Sequence, residues 1–286
     1  MLKLKKLFLS KLDFLFKTDN KKFNKYSTCL YKITKYINKG SQGKIFKGYN
    51  RITKNIFAVK IIKKRKQKYI KNERRFYNSN IYHKNIIKYH NFFNKNKNLH
   101  IIMDYCPQDL YTYFTQIKYK LNEKDVKLIL VQIINALYYL SENHNIYHTD
   151  VKLENIMLEK KNELSSIKLI DFSNYIKIQK NNDFTIIPSY EYGTLEYIAP
   201  ELVIGKFYKT SDIWSIGVLI YLLLTDTFIQ DEYSIIKTNQ FKIDNKLIKL
   251  KKKNLISNDF YSLLWRMFRI DPLERITIKE LKDKMI

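Results

Sequence analysis

The sequence contains few cysteines and no long apolar run. Its only cysteines among 286 residues, Cys29 and Cys106, lie far apart, without the spacing of a metal site. This scarcity excludes a disulfide framework and leads us to expect reduced thiols in an intracellular protein, cytoplasmic or nuclear. The apolar stretch Ile213 to Leu224 is too short to span a bilayer, and its apolar character on all sides predicts a helix at the centre of a large domain.

Acidic residues are also scarce: 27 are present against 53 lysines and arginines, which gives a net charge of +26. One interpretation is attraction to nucleic acid, an anionic membrane or acidic substrates. The other is a composition bias, because Lys, Asn, Ile and Tyr are abundant throughout the chain. No basic element with interleaved aromatic residues occurs, and the densest run, Lys246 to Lys253, is typical of a solvated loop or helix face. We therefore favour the bias and expect no specific nucleic-acid partner.

The first thirty residues form a separate basic and apolar segment. Lys11 and Asp13 interrupt its apolar run, which makes it a poor signal-peptide core. Residues 1–30 are predicted to be an amphipathic extension lying against the rest of the protein. The alternative is a membrane-surface anchor.

The remaining chain changes character near its first third. From Tyr31 to Asp104, short β-branched and aromatic runs predict strands, with one helix around Gln67 to Asn78. After Pro107 the pattern becomes mainly helical, and Asn122 is a candidate cap for a long helix. We expect an α+β protein with a small strand-rich lobe, 31–104, and a larger helical lobe, 107–286.

Two short turns in the second half carry the most informative side chains. Asp150, Lys152 and Asn155 lie in the first turn and Asp171 in the second, and strand-like segments separate them. Two carboxylates, a carboxamide and an ammonium suit a site that holds a divalent metal on a polyphosphate and orients a hydroxyl group toward it.

Glycine is rare, with six residues, yet Gly40, Gly43 and Gly48 fall within one short stretch. Glycine allows the backbone to approach a phosphate closely. The strand-like residues Lys44 to Lys47 follow Gly43, whereas a dinucleotide-binding loop leads into a helix. The glycines suit a loop that approaches a phosphate, and the strand-like residues after them disfavour the dinucleotide-binding kind.

Lys60 and Glu73 are a candidate buried ion pair. Lys60 follows Ala58-Val59 within a predicted strand, and Glu73 lies on the apolar face of the predicted helix. An unpaired buried charge costs several kcal/mol, so each of these side chains needs the other.

In this order the motifs resemble those of the eukaryotic protein kinases. Their catalytic loop has the sequence His-Arg-Asp with Asn five residues after the Asp, and their metal-binding turn has the sequence Asp-Phe-Gly. The resemblance runs from about Tyr31 to the C-terminus. It is carried by Gly40-Ser41-Gln42-Gly43, Ala58-Val59-Lys60, Glu73, His148-Thr149-Asp150 with Asn155, Asp171-Phe172-Ser173, Ala199-Pro200-Glu201, Asp212-Ile213-Trp214 and Arg275.

The resemblance implies a two-lobed protein-kinase fold that transfers the γ-phosphate of ATP to Ser or Thr hydroxyls of protein substrates. Lys152 and Thr194 resemble the serine/threonine branch. The implied catalytic residues are Lys60, Glu73, Asp150 and Lys152, and the implied Mg²⁺ ligands are Asn155 and Asp171. The implied ATP-binding residues are Ile37, Asn38, Lys39, Gly40, Ser41, Gln42, Gly43, Lys44, Ile45, Ala58, Lys60, Asp104, Cys106, Asp109 and Met157. We expect a monomer.

Two further sets of residues resemble structural parts of the family. Glu201 with Arg275 resembles the family's structural ion pair, and Asp212 resembles the anchor of its catalytic loop.

Three residues depart from the family pattern. Asn38 replaces the first glycine of the loop, Thr149 replaces the arginine of the catalytic loop, and Ser173 replaces the glycine after Asp171-Phe172. These departures are the grounds for the alternative of a pseudokinase, a nucleotide-binding scaffold without catalysis. That alternative needs the loss of Lys60, Asp150 or Asp171, and all three are present.

Overall fold

The protein is described here from a computed structural model that covers residues 28, 30–40, 43–63, 65–117, 121–188, 193–230 and 238–285. The chain forms two compact units. The first comprises Met1–Tyr82 with Ile87–Cys106, and the second comprises His83–Ile86 with Pro107–Ile286. The amphipathic extension expected over 1–30 lies outside the described residues, apart from residues 28 and 30, and stays a prediction.

The first unit is built on a five-stranded antiparallel sheet. β-branched and aromatic residues are frequent in its inner strands, as expected for side chains that pack on a pleated surface. The spatial order is β1-β2-β3-β5-β4. The strands are β1 Tyr31–Lys39, β2 Gly43–Asn50, β3 Ile56–Lys63, β4 Tyr89–Lys95 and β5 Asn98–Asp104.

The central strand β3 is covered on both faces, so its residues 57–62 are all buried. Phe57, Val59 and Ile61 pack on one face into a cluster with residues of β1, β2 and β5. Successive side chains of a strand alternate between faces, so Lys60 lies on the opposite face with Ile62. This second face packs against the helix that follows, and a lysine placed there must find a partner.

That helix, α1, spans Gln67–Asn78, which are the bounds that the sequence predicts. It buries Glu73 and Phe76 against the sheet and exposes basic side chains on its outer surface. Its first turn has no acidic residue and its N-cap residue makes no side-chain hydrogen bond. Packing of its inner face against the sheet, rather than capping, therefore stabilises this helix.

The second unit is mainly helical. The long helix α3 begins after Asn122, whose side chain accepts a hydrogen bond from the backbone N–H of Asp125, as predicted. The described helices of this unit are α2 Leu110–Gln116, α3 Glu123–His144, α4 Ser211–Thr225, α5 Gln240–Lys252, α6 Asn258–Met267 and α7 Ile278–Asp283. The basic run that begins at Lys246 lies on α5, which buries Leu247 and Leu250 and exposes its last lysines, as a solvated helix face does.

Helix α4 is the centre of the second unit, because all fifteen of its residues are buried. Trp214 packs edge-on against Phe268, with the ring centroids 5.2 Å apart. A Cβ atom at Gly217 would lie 2.9 Å from the ring of Phe268, so only glycine allows this close approach. The prediction of a central apolar helix is confirmed.

Short strands flank the turns that carry polar side chains in this unit and fix their positions. Strands β6 Gln108–Asp109, β8 Ile156–Leu158 and β9 Ile167–Leu169 form one small sheet. Strand β7 Ile146–Tyr147 pairs with β10 Ile176–Lys177, and β11 Phe184–Ile186 pairs with β12 Lys206–Tyr208. The loop between β7 and β8 and the loop between β9 and β10 contain the two turns singled out in the sequence.

The α+β class with a strand-rich lobe and a larger helical lobe is confirmed. Among the described residues, no helix combines the length and the apolar character needed to cross a bilayer.

A buried ion pair braces the second unit. The Arg275 guanidinium binds both carboxylate oxygens of Glu201, with N–O distances of 2.7 and 2.9 Å. Ser211 donates a further hydrogen bond to Glu201, and Arg275 donates to the carbonyl oxygens of Thr210 and Arg269. The pair links the segment before α4 to the loop after α6, which are far apart in the chain. Its hydrogen bonds give partners to the polar atoms of both buried side chains.

Replacing Glu201 by Gln should lower the free energy of unfolding by about 3–5 kcal/mol, because it leaves a buried guanidinium without its counter-charge. Glu163 forms an exposed pair with Lys160, so Glu163→Gln should cost less than about 1 kcal/mol. Urea denaturation followed by circular dichroism measures both changes. Equal midpoints for the two variants would contradict a bracing role for the buried pair.

Candidate active site

In the first unit, the predicted pair of Lys60 and Glu73 is formed. The Lys60 Nζ lies 2.6 Å from Glu73 Oε1, and the two residues are 6% and 0% exposed. The hydroxyl of Tyr89 donates to Glu73 Oε2 over 2.7 Å. Both carboxylate oxygens therefore have partners, which a buried carboxylate requires. The pair fixes the ammonium group of a central strand in one position.

Several residues predicted to bind nucleotide lie on the same face of this sheet as Lys60. Ile45 pairs directly with Lys60 across β2 and β3, and Ala58 precedes Lys60 by two positions. Residues that face each other across antiparallel strands project from the same side. The strand register thus brings Ile45, Ala58 and Lys60 together.

The predicted phosphate-covering loop is described only at its two ends. Residues 37–39 end β1, Gly40 follows them, and residues 43–45 begin β2, whereas Ser41 and Gln42 lie outside the described residues. A Cβ atom at Gly43 would lie 2.5 Å from the carbonyl oxygen of Ile61, so close packing between strands also requires this glycine. Asn38, which replaces a family glycine, accepts a hydrogen bond from the backbone N–H of Lys39.

Asp104 and Cys106 lie at the end of the first unit. The Asp104 carboxylate contacts the Nε2 of His90 at 2.6 Å, and Cys106 is buried. Asp109 and Met157 belong to the second unit, where they pair across β6 and β8. Asp109 also caps α2, accepting hydrogen bonds from the backbone N–H and the hydroxyl of Thr112.

In the second unit, the backbone of the loop after β7 is held by Asp212 at the start of α4. One carboxylate oxygen of Asp212 accepts the N–H of His148 at 2.8 Å and the other accepts the N–H of Thr149 at 2.9 Å. Burial raises the pKa of the Asp212 carboxyl, and the contact with His148 and the two N–H donors act against that rise. Thr149 has a φ of +71°, a value that a β-branched residue adopts only under constraint.

Asp150 is the centre of a cluster of polar side chains. Its carboxylate lies 2.9 Å from the Lys152 Nζ and accepts a hydrogen bond from the Thr194 hydroxyl over 2.9 Å. Lys152 also donates to the Thr194 hydroxyl over 2.6 Å, and Asn155 donates to the carboxylate and the backbone carbonyl of Asp150. The Asp150 side chain keeps 14% of its surface exposed. The carboxylate is therefore oriented by its neighbours and still reachable.

Gly193 allows Thr194 to approach this cluster. Its φ is +82°, and a Cβ atom there would lie 2.5 Å from the Ile198 side chain and 3.2 Å from the Thr149 carbonyl oxygen. Only glycine combines this backbone conformation with such close neighbours.

The second turn, at Asp171, is packed against the first. His148 binds the carbonyl oxygen of Ile170 through Nε2 at 2.8 Å, and its ring packs edge-on against Phe172. The Thr149 hydroxyl donates to the carbonyl oxygen of Asn174. His148 thus has a structural position, and it sets the two turns side by side.

Ser173 orients the Asp171 carboxylate in a way that the sequence does not predict. Its hydroxyl donates to Asp171 Oδ1 over 2.7 Å, and Ser173 is fully buried. Asp171 itself has a φ of +64°. A glycine at position 173 would lack this hydrogen bond. Tyr89, which binds Glu73, was also missed, because a tyrosine in a strand gives no sign of its distant partner.

The donor set of the two turns fits Mg²⁺. Asn155 and Asp171 offer a carboxamide and a carboxylate oxygen, the hard ligands that this ion prefers. The nitrogen of the Asn155 amide is engaged with Asp150, so its oxygen is the atom left for a cation. No group of three His, Cys, Asp or Glu side chains suited to a metal occurs in the described part of the chain.

Comparison with known proteins gives a single family. Residues 31–285 match the family model of the protein kinase domain. The chain is 36% identical over 200 residues to calcium-dependent protein kinase 5 of Plasmodium falciparum, covering 68% of this chain and 34% of that protein. It is 30% identical over 258 residues to mouse serine/threonine-protein kinase 36, covering 88% of this chain and 19% of that protein.

An Aurora kinase of Debaryomyces hansenii is 29% identical over 262 residues, covering 88% of this chain and 61% of that protein. The chain spans about a third or less of the length of the first two relatives and less than two thirds of the third. The matched region includes both turns, the Lys60–Glu73 pair and the Glu201–Arg275 brace. The chain belongs to the protein kinase domain family, in its serine/threonine branch.

Proposed function

We propose that the chain is a serine/threonine protein kinase that transfers the γ-phosphate of ATP to hydroxyl groups of protein substrates. Membership of the family implies ATP as the phosphate donor and proteins as acceptors. The observation that carries the proposal is the Asp150 carboxylate, held within hydrogen-bond distance of Lys152, Thr194 and Asn155 while part of its surface stays accessible.

Asp150 orients the acceptor hydroxyl and takes its proton. The role is supported by the three neighbours that fix its carboxylate, Lys152, Thr194 and Asn155, since a general base must be positioned before its basicity matters. Lys152 lies beside it and neutralises charge on the transferred phosphate. Thr194 joins the two side chains, so a change at any one of the three disturbs the other two.

Lys60 binds the phosphates of ATP, and Glu73 positions it. A lysine on a flexible stem is imprecise unless a partner fixes it, and the 2.6 Å contact with Glu73 supplies that constraint. Ile45 and Ala58 share the face of the sheet with Lys60 and form the apolar surface beside the adenine. The other nucleotide contacts proposed for the first unit are residues 37–44, Asp104 and Cys106, and those for the second are Asp109 and Met157.

Asn155 and Asp171 would hold Mg²⁺. When bound, this ion supplies positive charge to the phosphate oxygens of ATP. Asn155 is fixed by its hydrogen bonds to Asp150, and Asp171 by the Ser173 hydroxyl. The ligands are thus oriented by the protein before the ion arrives.

A binding scaffold without catalysis is the alternative. It is disfavoured because Lys60, Lys152, Asn155 and both aspartates of the two turns, Asp150 and Asp171, are all present. The hydrogen bonds and ion pairs of Lys60, Asp150, Asn155 and Asp171 are formed despite the three departures from the family pattern. We further propose a monomer of the cytoplasm or nucleus that binds neither nucleic acid specifically nor a membrane. The sparse, widely spaced cysteines support the compartment, and fractionation and sedimentation test these points.

Replacing Asp150 by Asn should lower kcat by about 10²–10⁴-fold, because the amide cannot accept the hydroxyl proton. Asp183→Asn is the matched control, since Asp183 is exposed and lies in the loop between β10 and β11. Transfer of radiolabelled phosphate from ATP to generic basic and acidic proteins measures the effect. A wild-type protein that binds ATP but transfers no phosphate would establish the scaffold instead.

Replacing Lys60 by Met should reduce kcat/KM for ATP by about 10²–10³-fold, because the cation over the phosphates is lost. Lys63→Met on the same strand removes an exposed lysine and should leave kcat/KM within about twofold. Steady-state kinetics with varied ATP gives both values. Similar losses in the two variants would refute the role of Lys60.

A further inference from the structure

A small sheet in the second unit leaves one edge open. It consists of β11 and β12, which pair antiparallel with Thr185 opposite Phe207. Backbone hydrogen bonds continue the pairing beyond both ends of β11, because Ile187 donates its N–H to the segment before β12 and Asp183 accepts an N–H from the segment after it. Strand β12 therefore occupies one edge of β11, and the opposite edge has no partner strand in the described part of the chain.

The backbone groups of Phe184 and Ile186 lie along this open edge. In an antiparallel pair, the N–H and C=O groups of successive residues face the partner strand and face away from it in turn. Asp183, Thr185 and Ile187 face β12, so Phe184 and Ile186 face the other way. Neither of these two backbones forms a hydrogen bond with another residue that the structure describes. Two donors and two acceptors are thus presented in a row, at the spacing of about 7 Å that a second strand offers.

The side chains of the same two residues are apolar and exposed. Phe184 and Ile186 lie on one face of β11, two positions apart, and are 38% and 70% exposed. Tyr208 stacks on the Phe184 ring, with the centroids 5.0 Å apart, and holds it in place. Natural proteins protect open strand edges with charged side chains, proline or a covering segment. No residue of β11 carries a charge, so its open edge is a template for another extended chain.

The opposite face of the sheet anchors it to the rest of the second unit. Phe207, across from Thr185, is buried, and its ring packs edge-on against Tyr147 with the centroids 6.2 Å apart. Strand β11 is therefore already extended and fixed when a partner arrives. Because the edge is preformed, only the partner loses conformational entropy on binding.

The charged groups around this edge are mainly positive. The Lys206 Nζ lies 5.4 Å from the centre of the Phe184 ring, and the Lys209 Nζ donates to the carbonyl oxygen of Lys180. None of these three lysines forms an ion pair with a described residue. Asp183 supplies one carboxylate at the start of the pairing. The charge that complements this edge is therefore negative.

The backbone groups of the open edge decide which class of ligand fits it. An extended peptide supplies both N–H and C=O groups at the spacing of a strand. The phosphates of a nucleic acid or of a lipid surface are acceptors only and give the outward carbonyl oxygens no partner. A second copy of this chain, with a net charge of +26, would bring further lysines to the same edge and be repelled. The edge thus favours an acidic peptide from another protein.

We propose that β11 binds an extended acidic segment of a partner protein, which adds to the open edge as the third strand of this sheet. Main-chain hydrogen bonds to Phe184 and Ile186 supply the affinity, and apolar side chains of the segment pack on the same two residues. Acidic side chains of the segment face Lys180, Lys206 and Lys209. None of these residues belongs to the cluster around Asp150, so the interaction is distinct from phosphate transfer.

The test uses the full chain and a fluorescein-labelled peptide with a central Val-Thr-Val and glutamates on both sides. Fluorescence anisotropy without ATP should show binding at least about tenfold tighter than that of the same peptide with lysines in place of the glutamates. N-methyl groups on the two valines and on the central threonine block opposite edges of the peptide. One of these modifications should weaken binding at least about tenfold and the other much less, because only one edge of the peptide faces β11.

Amide hydrogen exchange measured by NMR locates the bound peptide. Saturating peptide should slow the exchange of the Phe184 and Ile186 amides, which face the open edge. The Thr185 amide already faces β12 and should change little. Unchanged exchange at Phe184 and Ile186 would overturn the addition of a strand.

Three variants separate this edge from general attraction to a basic protein. Ile186→Lys removes the apolar contact and protects the edge with a charge, so it should weaken binding about tenfold or more. Ile52→Lys is the matched control, since Ile52 is a 60% exposed isoleucine of the first unit, and should change affinity less than about twofold. Lys206→Glu reverses one charge beside Phe184 and should narrow the preference for the acidic peptide severalfold.

Three results would contradict an acidic partner strand. One is equal affinity for the acidic and the basic peptide, and another is wild-type affinity in Ile186→Lys or an equal loss in Ile52→Lys. The third is Ile186-dependent self-association in sedimentation, or tighter, Ile186-dependent binding of single-stranded RNA or anionic vesicles. Thermal unfolding of each variant checks the fold, which substitutions of these exposed side chains should not disturb. Phosphate transfer is not measured, so failure of this proposal leaves the kinase assignment unaffected.

Discussion

The catalytic loop depends on one carboxylate buried at the start of helix α4. Asp212 accepts the N–H groups of His148 and Thr149 and so holds the backbone of a loop 63 and 64 residues earlier in the chain. In this loop Thr149 adopts a positive φ. Such a backbone conformation costs about 1–3 kcal/mol for a non-glycine residue and persists only where the surroundings enforce it. Its hydroxyl, bonded to Asn174, is a second restraint. Asp150 follows directly, and its position is thus determined by a helix rather than by the loop.

The same requirement, that a buried charge must have a partner, governs both units. In the first unit it fixes Lys60 through Glu73, and in the second it joins Glu201 to Arg275. The first pair joins the consecutive elements β3 and α1, and the second joins segments 74 residues apart in the chain. Exposed lysines elsewhere carry most of the net charge and contribute little to the fold, because water screens them. The chain therefore combines a strongly basic surface with a few buried charges that ion pairs hold in fixed positions.

Local patterns predicted the elements that local physics determines. The bounds of α1, the Asn122 cap and the central apolar helix follow from periodicity, capping and hydropathy, and each is found as expected. The pairing of Lys60 with Glu73 was also predictable. Lys60 lies in a buried strand and Glu73 on the apolar face of a helix, and each buried charge needs an opposite charge beside it.

Other features depend on contacts that no local pattern contains. The positive φ of Thr149 depends on Asp212, and the bond from Ser173 to Asp171 depends on how the turn folds back on itself. The partner of Tyr89 is sixteen residues away, on a helix whose rotation decides the contact.

Substitution of Asp212 by Asn tests most directly whether this carboxylate sets the geometry of phosphate transfer. Asparagine has nearly the same size but one acceptor oxygen in place of two, so one of the two loop N–H groups loses its partner. We expect kcat to fall by at least about 100-fold while circular dichroism still reports a folded protein. A variant that transfers phosphate at the wild-type rate would contradict the account, because the loop would then hold Asp150 in place without its anchor.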